Sequence, residues 1–325
     1  MKVQDVTRLL SLERLKRHII QSSIVAWENK LSPSALDKWL ENFTGQALND
    51  KAAEQAIAAW LMLNFTYYSK AEVYELCRII YRKYIHKKLR EESYLKSGDS
   101  ITEKVQRILE RTIFVPLGNP SESGALILYD FRTANSLPKD LFNQHANLNE
   151  KLNDGSIDDI VLIDDVTLSG SQSIDYIGDL SLGNVNATLL TFFATPEAIR
   201  NLKSSAPQLA PVYASLLDNR TKLFSDESSA FSNEDTVQIK ELALQLCNHY
   251  GKHVVENELS NAEAYMKSFP LGFADGQQLF GFYYNTPDNT LPIFWCNSAN
   301  WSPAFIRYGK IYDVKGVAIQ DEQYW

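Results

Sequence analysis

Cysteine is scarce: Cys77, Cys247 and Cys296 are the only three in 325 residues, far apart and odd in number. Their spacing excludes a disulfide scaffold and a thiolate metal cage, and leaves reduced structural thiols as the expectation. Histidine is almost as sparse. Of His18, His86, His145, His249 and His253 only the last two fall at i, i+4, with Gly251 between them, so no metal-ligating face is expected. A basic surplus is missing too. The formal net charge of −8 argues against a surface coated for nucleic acid and leaves only local basic patches for that role. No apolar run approaches the roughly 18 residues of a membrane span. The stretch MKVQDVTRLLSLERLKRHII has neither an apolar h-region nor a small-residue cleavage site, so the expectation is a cytoplasmic protein that meets no membrane. Internal repeats and low-complexity segments are absent.

What is present is ordinary in bulk: 45% of residues are hydrophobic and 22% charged, the balance of a globular chain. The length suits two domains, or one with a large appendage. Up to about residue 110 apolar positions recur at three and four, which predicts an all-helical region over 1–110. One of its helices opens on the capping box Ser69-x-x-Glu72 and places Val73, Leu76, Ile80 and Tyr84 on one face. The break Gly98-Asp99-Ser100 precedes another, through Val105 and Leu109.

From residue 111 to 325 the rhythm changes to strand, loop, helix, strand. IFVPLG (113–118) reads as a strand, GNPSESG (118–124) as a turn-rich loop and ALILYDFRTAN as a packed helix. IVLID (160–164), ATLLTFFA (187–194) and VYASLL (212–217) read as further strands, and TPEAIRNLK as a helix with Thr195 as N-cap and Pro196 at its first position. Apolar β-rich runs separated by helices predict an α/β fold whose parallel sheet is covered on both faces. A helix from about Asp235 to Asn248, capped from Ser232 or Asn233 and ended by Gly251, leads to LFGFYYN and LPIFW. The turn TPDNT between those two predicts a hairpin-like return.

The chemistry concentrates in IVLIDDVTLSGSQ, residues 160–172. Four apolar residues run into Asp164 and Asp165, and Thr167, Leu168, Ser169, Gly170, Ser171 and Gln172 follow before a helix. Neighbouring carboxylates on a strand point apart and can grip different atoms of one ligand. Backbone amides at a helix amino terminus, with hydroxyl donors and a glycine that admits close approach, make an anion site. Acids for a sugar diol beside amides for a phosphate describe a ribose 5-phosphate site. An apolar run ending in two acids also marks the Mg²⁺ strand of nucleotide hydrolases, but no G-x-x-x-x-G-K-[ST] loop occurs here. Response-regulator receivers carry an acidic pair at the end of their first strand, whereas this pair lies mid-chain. A Ser-rich strand exit with no ligand is the bland alternative.

This stretch resembles the phosphoribosyl pyrophosphate (PRPP) motif of type I phosphoribosyltransferases. Together with WLENF (39–43) and NTPDNTLPIFW (285–295) it is similar to the phosphoribosyltransferase-like family of prokaryotic conflict systems, PRTase-CE. The resemblance implies a type I phosphoribosyltransferase-like parallel sheet flanked by helices, with a helical amino-terminal extension. It implies that Asp164 and Asp165 meet the ribose hydroxyls and act in catalysis, and that Thr167 to Gln172 hold the 5-phosphate. Pro120, Ser121, Glu122, Ser123 and Gly124, one strand earlier, become candidates for the pyrophosphate loop. Mg²⁺ is expected with PRPP, and the family's association with anti-phage modules, including some retrons, implies partner proteins or nucleic acid of a defence system. Leu168 and Gln172 depart from the small or hydroxyl residues of the common motif. The implied functions are Mg²⁺-dependent glycosyl transfer at C1, a catalytically silent regulatory or partner-binding module, or an effector that attacks a nucleotide.

Two other features have competing readings. Phe280, Phe282, Tyr283, Tyr284, Phe294, Trp295 and Trp301 suit a base-stacking platform or, more simply, a core. Arg78, Arg82, Lys83, Lys87, Lys88 and Arg90 suit a phosphate-gripping helix face or a solvated one.

Overall fold

The structure, a computed structural model, describes residues 2–91, 98–118, 123–142, 148, 152, 155–259 and 261–307. In chain order the principal elements begin with helices α1 (Val3–Leu9), α2 (Leu12–Val25), α3 (Pro33–Leu40) and α4 (Lys51–Leu63), then strand β1 (Thr66–Tyr68) and helices α5 (Lys70–Glu91) and α6 (Ile101–Glu110). Next come β2 (Thr112–Pro116), α7 (Ser123–Ala134), β3 (Asp159–Thr167), α8 (Ser171–Gly178), β4 (Asn186–Ala194), α9 (Pro196–Ser205) and β5 (Leu209–Leu216). The chain continues into α10 (Glu234–His253) and β6 (Phe280–Phe282). These form two compact units, one from Met1–Tyr67 with Thr221–Trp325 and one from Tyr68–Arg220. The spatial division differs from the boundary drawn along the sequence at residue 110: α5 and α6 belong with the sheet, and the carboxyl-terminal region belongs with α1 to α4.

The second unit is an α/β fold built on a four-stranded parallel sheet of order β2-β3-β4-β5. Ile160, Val161, Leu162 and Ile163 of β3 are all fully buried, as expected for a strand covered on both faces. Ile160 and Leu162 pack in one cluster with Ile177 of α8 and Leu202 of α9. On β2, Phe114 meets the rings of Tyr84 from α5 and Phe131 from α7. Each such aliphatic or aromatic side chain contributes about 1.5–3 kcal/mol by leaving water. Helix starts follow local chemistry: Ser69 and Glu72 form the expected reciprocal cap, Ser100 and Glu103 form another, and Thr195 accepts from the amide of Ala198.

The first unit is helical with a two-stranded β1-β6 sheet. Strand β1 is an addition to the helical reading of this region; Thr66-Tyr67-Tyr68 is β-prone, but its partner lies more than 200 residues along the chain. LPIFW forms no return strand. Pro292–Phe294 is a 3₁₀ turn, and β6 finds its partner in β1 instead of across TPDNT. Helix α10 also continues past Gly251 to His253, because that glycine is there for proximity: a Cβ would come within 2.1 Å of the Pro270 carbonyl oxygen.

Candidate functional site

In an open parallel sheet ligands collect at the carboxyl ends of the strands. Strand β3 ends there in Asp164, Asp165, Val166 and Thr167, beside the end of β2, where Pro116 pairs with Ile163 and the Leu117 amide donates to the Ile163 carbonyl at 2.9 Å. The IVLIDD exit and the start of GNPSESG are therefore neighbours. Gly118 has φ +86°, and a Cβ on Gly124 would lie 2.3 Å from the Leu117 carbonyl oxygen, so Gly124 itself packs directly against the strand end. Pro120, Ser121 and Glu122 lie outside the described residues. So does the Ser123 side chain, although Ser123 opens α7.

Both carboxylates are half-buried, and each is oriented locally. Asp164 Oδ1 accepts from the Asp165 amide at 2.9 Å, and Asp165 Oδ1 accepts from the Val166 amide at 2.8 Å. Thr191 of β4 donates its hydroxyl to the Asp165 carbonyl at 2.9 Å, which pins the acid pair to the sheet. Carboxylate oxygens are donors of the kind Mg²⁺ takes, and that ion commonly completes its shell with substrate phosphates and one or two protein carboxylates. Asp164 and Asp165 fit that role. No group of three or more His, Cys, Asp or Glu residues among those described forms a protein-only cage.

Beyond Thr167 the loop is held from behind by the start of α9. The Thr195 amide donates to the Thr167 carbonyl at 3.1 Å, the Thr195 hydroxyl donates to the Leu168 carbonyl, and Asn201 Nδ2 donates to the Ser169 carbonyl at 2.9 Å. Three consecutive carbonyls thus point toward α9. In a planar trans peptide the carbonyl and the following N–H are antiparallel, so the amides of Leu168, Ser169 and Gly170 point the other way. Among the described residues none of the three donates to a protein acceptor. Gly170 caps α8 in the left-handed region, φ +78°, with Leu202 Cγ only 3.2 Å from where a Cβ would sit. The N-terminus of α8 adds its partial positive charge on the same side.

Two hydroxyls sharpen this arrangement. Thr167 Oγ1 and Ser173 Oγ are buried, at 4% and 1% residue exposure, with no hydrogen-bond partner among the described residues. Unmet buried polar groups cost about 1–3 kcal/mol each, a cost that a ligand able to reach them would recover. Ser169 and Ser171 share a hydroxyl contact at 2.9 Å, and Ser171 and Gln172 lie exposed at the start of α8. Leu168, one of the two departures from the common motif, contributes a carbonyl anchor, a task its side chain does not impair. Thr191 and Asn201 escaped sequence reasoning. Asn201 stands 32 residues beyond the carbonyl it holds, and no local pattern marks it.

The other features resolve toward structure. Phe280, Phe282, Phe294, Trp295 and Trp301 are buried, and the indole N–H groups of Trp295 and Trp301 donate to the Thr290 and Ile293 carbonyls. Much of the basic stretch on α5 is engaged: Arg78 donates to the Ala134 carbonyl, Lys83 to those of Tyr213 and Ala214, Lys87 pairs with Glu91, and Lys88 is buried against Asp159. A cavity of about 600 Å³ lined by Val105, Leu109, Ile113, Leu141 and Ile157 opens at the amino end of β2, the end of the sheet away from the acids and the hydroxyl loop. Among the described residues no helix is long and apolar enough to cross a membrane.

No curated protein matches the chain. The family described as PRTase-CE matches it over residues 36–307, a span that includes the acid pair, the hydroxyl loop and the α9 residues behind it. An α/β unit with a parallel sheet, a strand ending in two acids and a matched span of most of the sequence lead to one assignment: this phosphoribosyltransferase-like chain belongs to the PRTase-CE family.

Proposed function

We propose that the chain binds PRPP, or a nucleotide built on ribose 5-phosphate, through residues 160–172, and that it carries out Mg²⁺-dependent glycosyl transfer at C1 as part of an anti-phage conflict system. The observation that carries the reading is the set of amides of Leu168, Ser169 and Gly170, all turned one way, directly after Asp164 and Asp165 and after Thr167, whose hydroxyl has no partner among the described residues. A phosphate monoester satisfies such amides and hydroxyls, and the carboxylates offer acceptors to ribose hydroxyls about one sugar away.

In this reading the loop anchors the 5-phosphate while Asp164 and Asp165 orient the ring. The bond from C1 to the diphosphate oxygen breaks, its electron pair leaves with diphosphate, and an acceptor atom bonds C1. Positive charge developing on the sugar is stabilised by the nearby carboxylates. Mg²⁺, when bound, supplies neutralising charge to the departing diphosphate. Positioning and electrostatics carry the step, so no separate base is required of the protein.

Calorimetric titration of the full chain with PRPP and Mg²⁺, repeated on Asp164→Asn/Asp165→Asn, tests the proposal. Binding by the wild type that weakens at least tenfold in the double variant, with its melting temperature preserved, is the expected result. A well-folded wild type that takes neither PRPP nor ribose 5-phosphate would sink it.

A further inference from the structure

Helix α9 lies outside the motif, yet it supplies the groups that hold the loop carbonyls. Thr195 is its N-cap and is fixed twice, accepting from the Ala198 amide at 3.0 Å and donating to the Leu168 carbonyl. Asn201 lies almost two turns further on, half-buried, and its amide nitrogen donates to the Ser169 carbonyl. Leu202 of the same helix closes on Gly170. Without these tethers the 168–169 and 169–170 peptide planes could rotate, since each has only its flanking ψ and φ to overcome.

We infer that Asn201 and Thr195 are positioning residues for anion binding: by gripping the carbonyls of Leu168 and Ser169 from α9, they turn the amides of Ser169 and Gly170 toward the bound phosphate and set its affinity. The inference rests on the proposed phosphate role of the loop and extends it to two residues that act through the loop carbonyls. Asn201 acts on the Gly170 amide, because the Ser169 carbonyl and the Gly170 N–H share one peptide plane. Thr195 acts in the same way on the Ser169 amide. Loss of one oriented amide to a doubly charged phosphate corresponds to about a tenfold loss of affinity, the size of a charge-assisted hydrogen bond. The sugar side of the site, made by Asp164 and Asp165 and pinned by Thr191, does not depend on α9 in this way.

Amide NMR spectra of the full chain, titrated with inorganic phosphate, ribose 5-phosphate and ribose, provide the test on wild type and Asn201→Leu. In the wild type, phosphate and ribose 5-phosphate are expected to move the Ser169 and Gly170 amides downfield. In Asn201→Leu both ligands bind about tenfold more weakly, the Gly170 shift shrinks most, and ribose, read at the Asp164 and Asp165 amides, changes less than twofold. A merely structural role would lower the melting temperature and weaken all three ligands together. Should the leucine variant melt early, Asn201→Ser carries the same comparison with less bulk. Equal phosphate affinity in wild type and variant overturns the inference and leaves the proposed function standing. A wild type that binds neither phosphate nor ribose 5-phosphate overturns both.

Discussion

One buried carboxylate in the first unit and two buried hydroxyls in the second meet opposite fates. In the first, the Glu54 carboxylate is fully buried and saturated: it accepts from the amides of Gly45, Ala47 and Leu48, each at 2.7 Å, and from the Tyr250 hydroxyl at 2.6 Å. The loop before α4 is wound around that one side chain. In the second, among the described residues, the buried hydroxyls of Thr167 and Ser173 are unmet and successive loop amides donate to no protein acceptor. Satisfied burial holds a fold together, whereas burial left unsatisfied at the end of a parallel strand leaves groups that a bound anion can satisfy.

The comparison breaks most readily at Glu54. Glu54→Leu strands three amides and the Tyr250 hydroxyl without an acceptor and should lower stability by roughly 3–5 kcal/mol, read from chemical denaturation. An effect below about 1 kcal/mol would mean that the loop finds its partners elsewhere. Next in size is Gly170→Ala, which meets both the left-handed backbone and the close approach of Leu202. It should cost about 1–2 kcal/mol and weaken PRPP binding by at least tenfold in the calorimetric titration with Mg²⁺.

Thr167→Val sharpens the contrast by separating stability from binding. Replacing an unmet hydroxyl with a methyl group should leave the protein as stable or up to about 1 kcal/mol more so, while phosphate affinity falls. Destabilisation by this variant would show that the hydroxyl already has a partner and would remove the contrast. The smallest effect concerns Asp158, whose carboxyl is held below the usual carboxylate range chiefly by its hydrogen bond from Arg111, with the Arg111 and Lys88 charges adding to it. The unfolded chain therefore takes up this proton more readily than the folded one. The pair's contribution is present above about pH 4 and is lost as pH falls through the depressed folded value. Between pH 5 and 3 the melting temperature of wild type should fall more steeply than that of Asp158→Asn; parallel slopes would show that the pair contributes nothing.

Much of the second unit was legible in the sequence. Each sheet strand reads as an apolar run near its observed place, because a strand buried on both faces must be apolar throughout. Thr195 with Pro196, and Ser69 with Glu72, announced their helix starts, because capping is settled within four residues. The acid pair and the hydroxyl loop were legible for the same reason: the motif is contiguous, and its placement at a strand exit follows from the run before it. The LPIFW segment was misread as a strand because an apolar run does not reveal whether a β partner exists, and Pro292 favours the 3₁₀ turn seen. Gly251 looked like a helix stop, although its lack of a side chain serves the nearby Pro270.

From the sequence alone came the alternation of strands and helices, the position of the acids, and the polar loop able to receive an anion, because these depend on residues within a dozen positions of one another. Only the tertiary structure decided that α5 belongs with the sheet, that Lys88 is spent on Asp159, and that Asn201 reaches across 32 residues to turn the Ser169–Gly170 peptide. Those outcomes follow from which surfaces the chain brings together in space, and a hydrogen bond between residues far apart in sequence leaves no period, cap or spacing from which to read it.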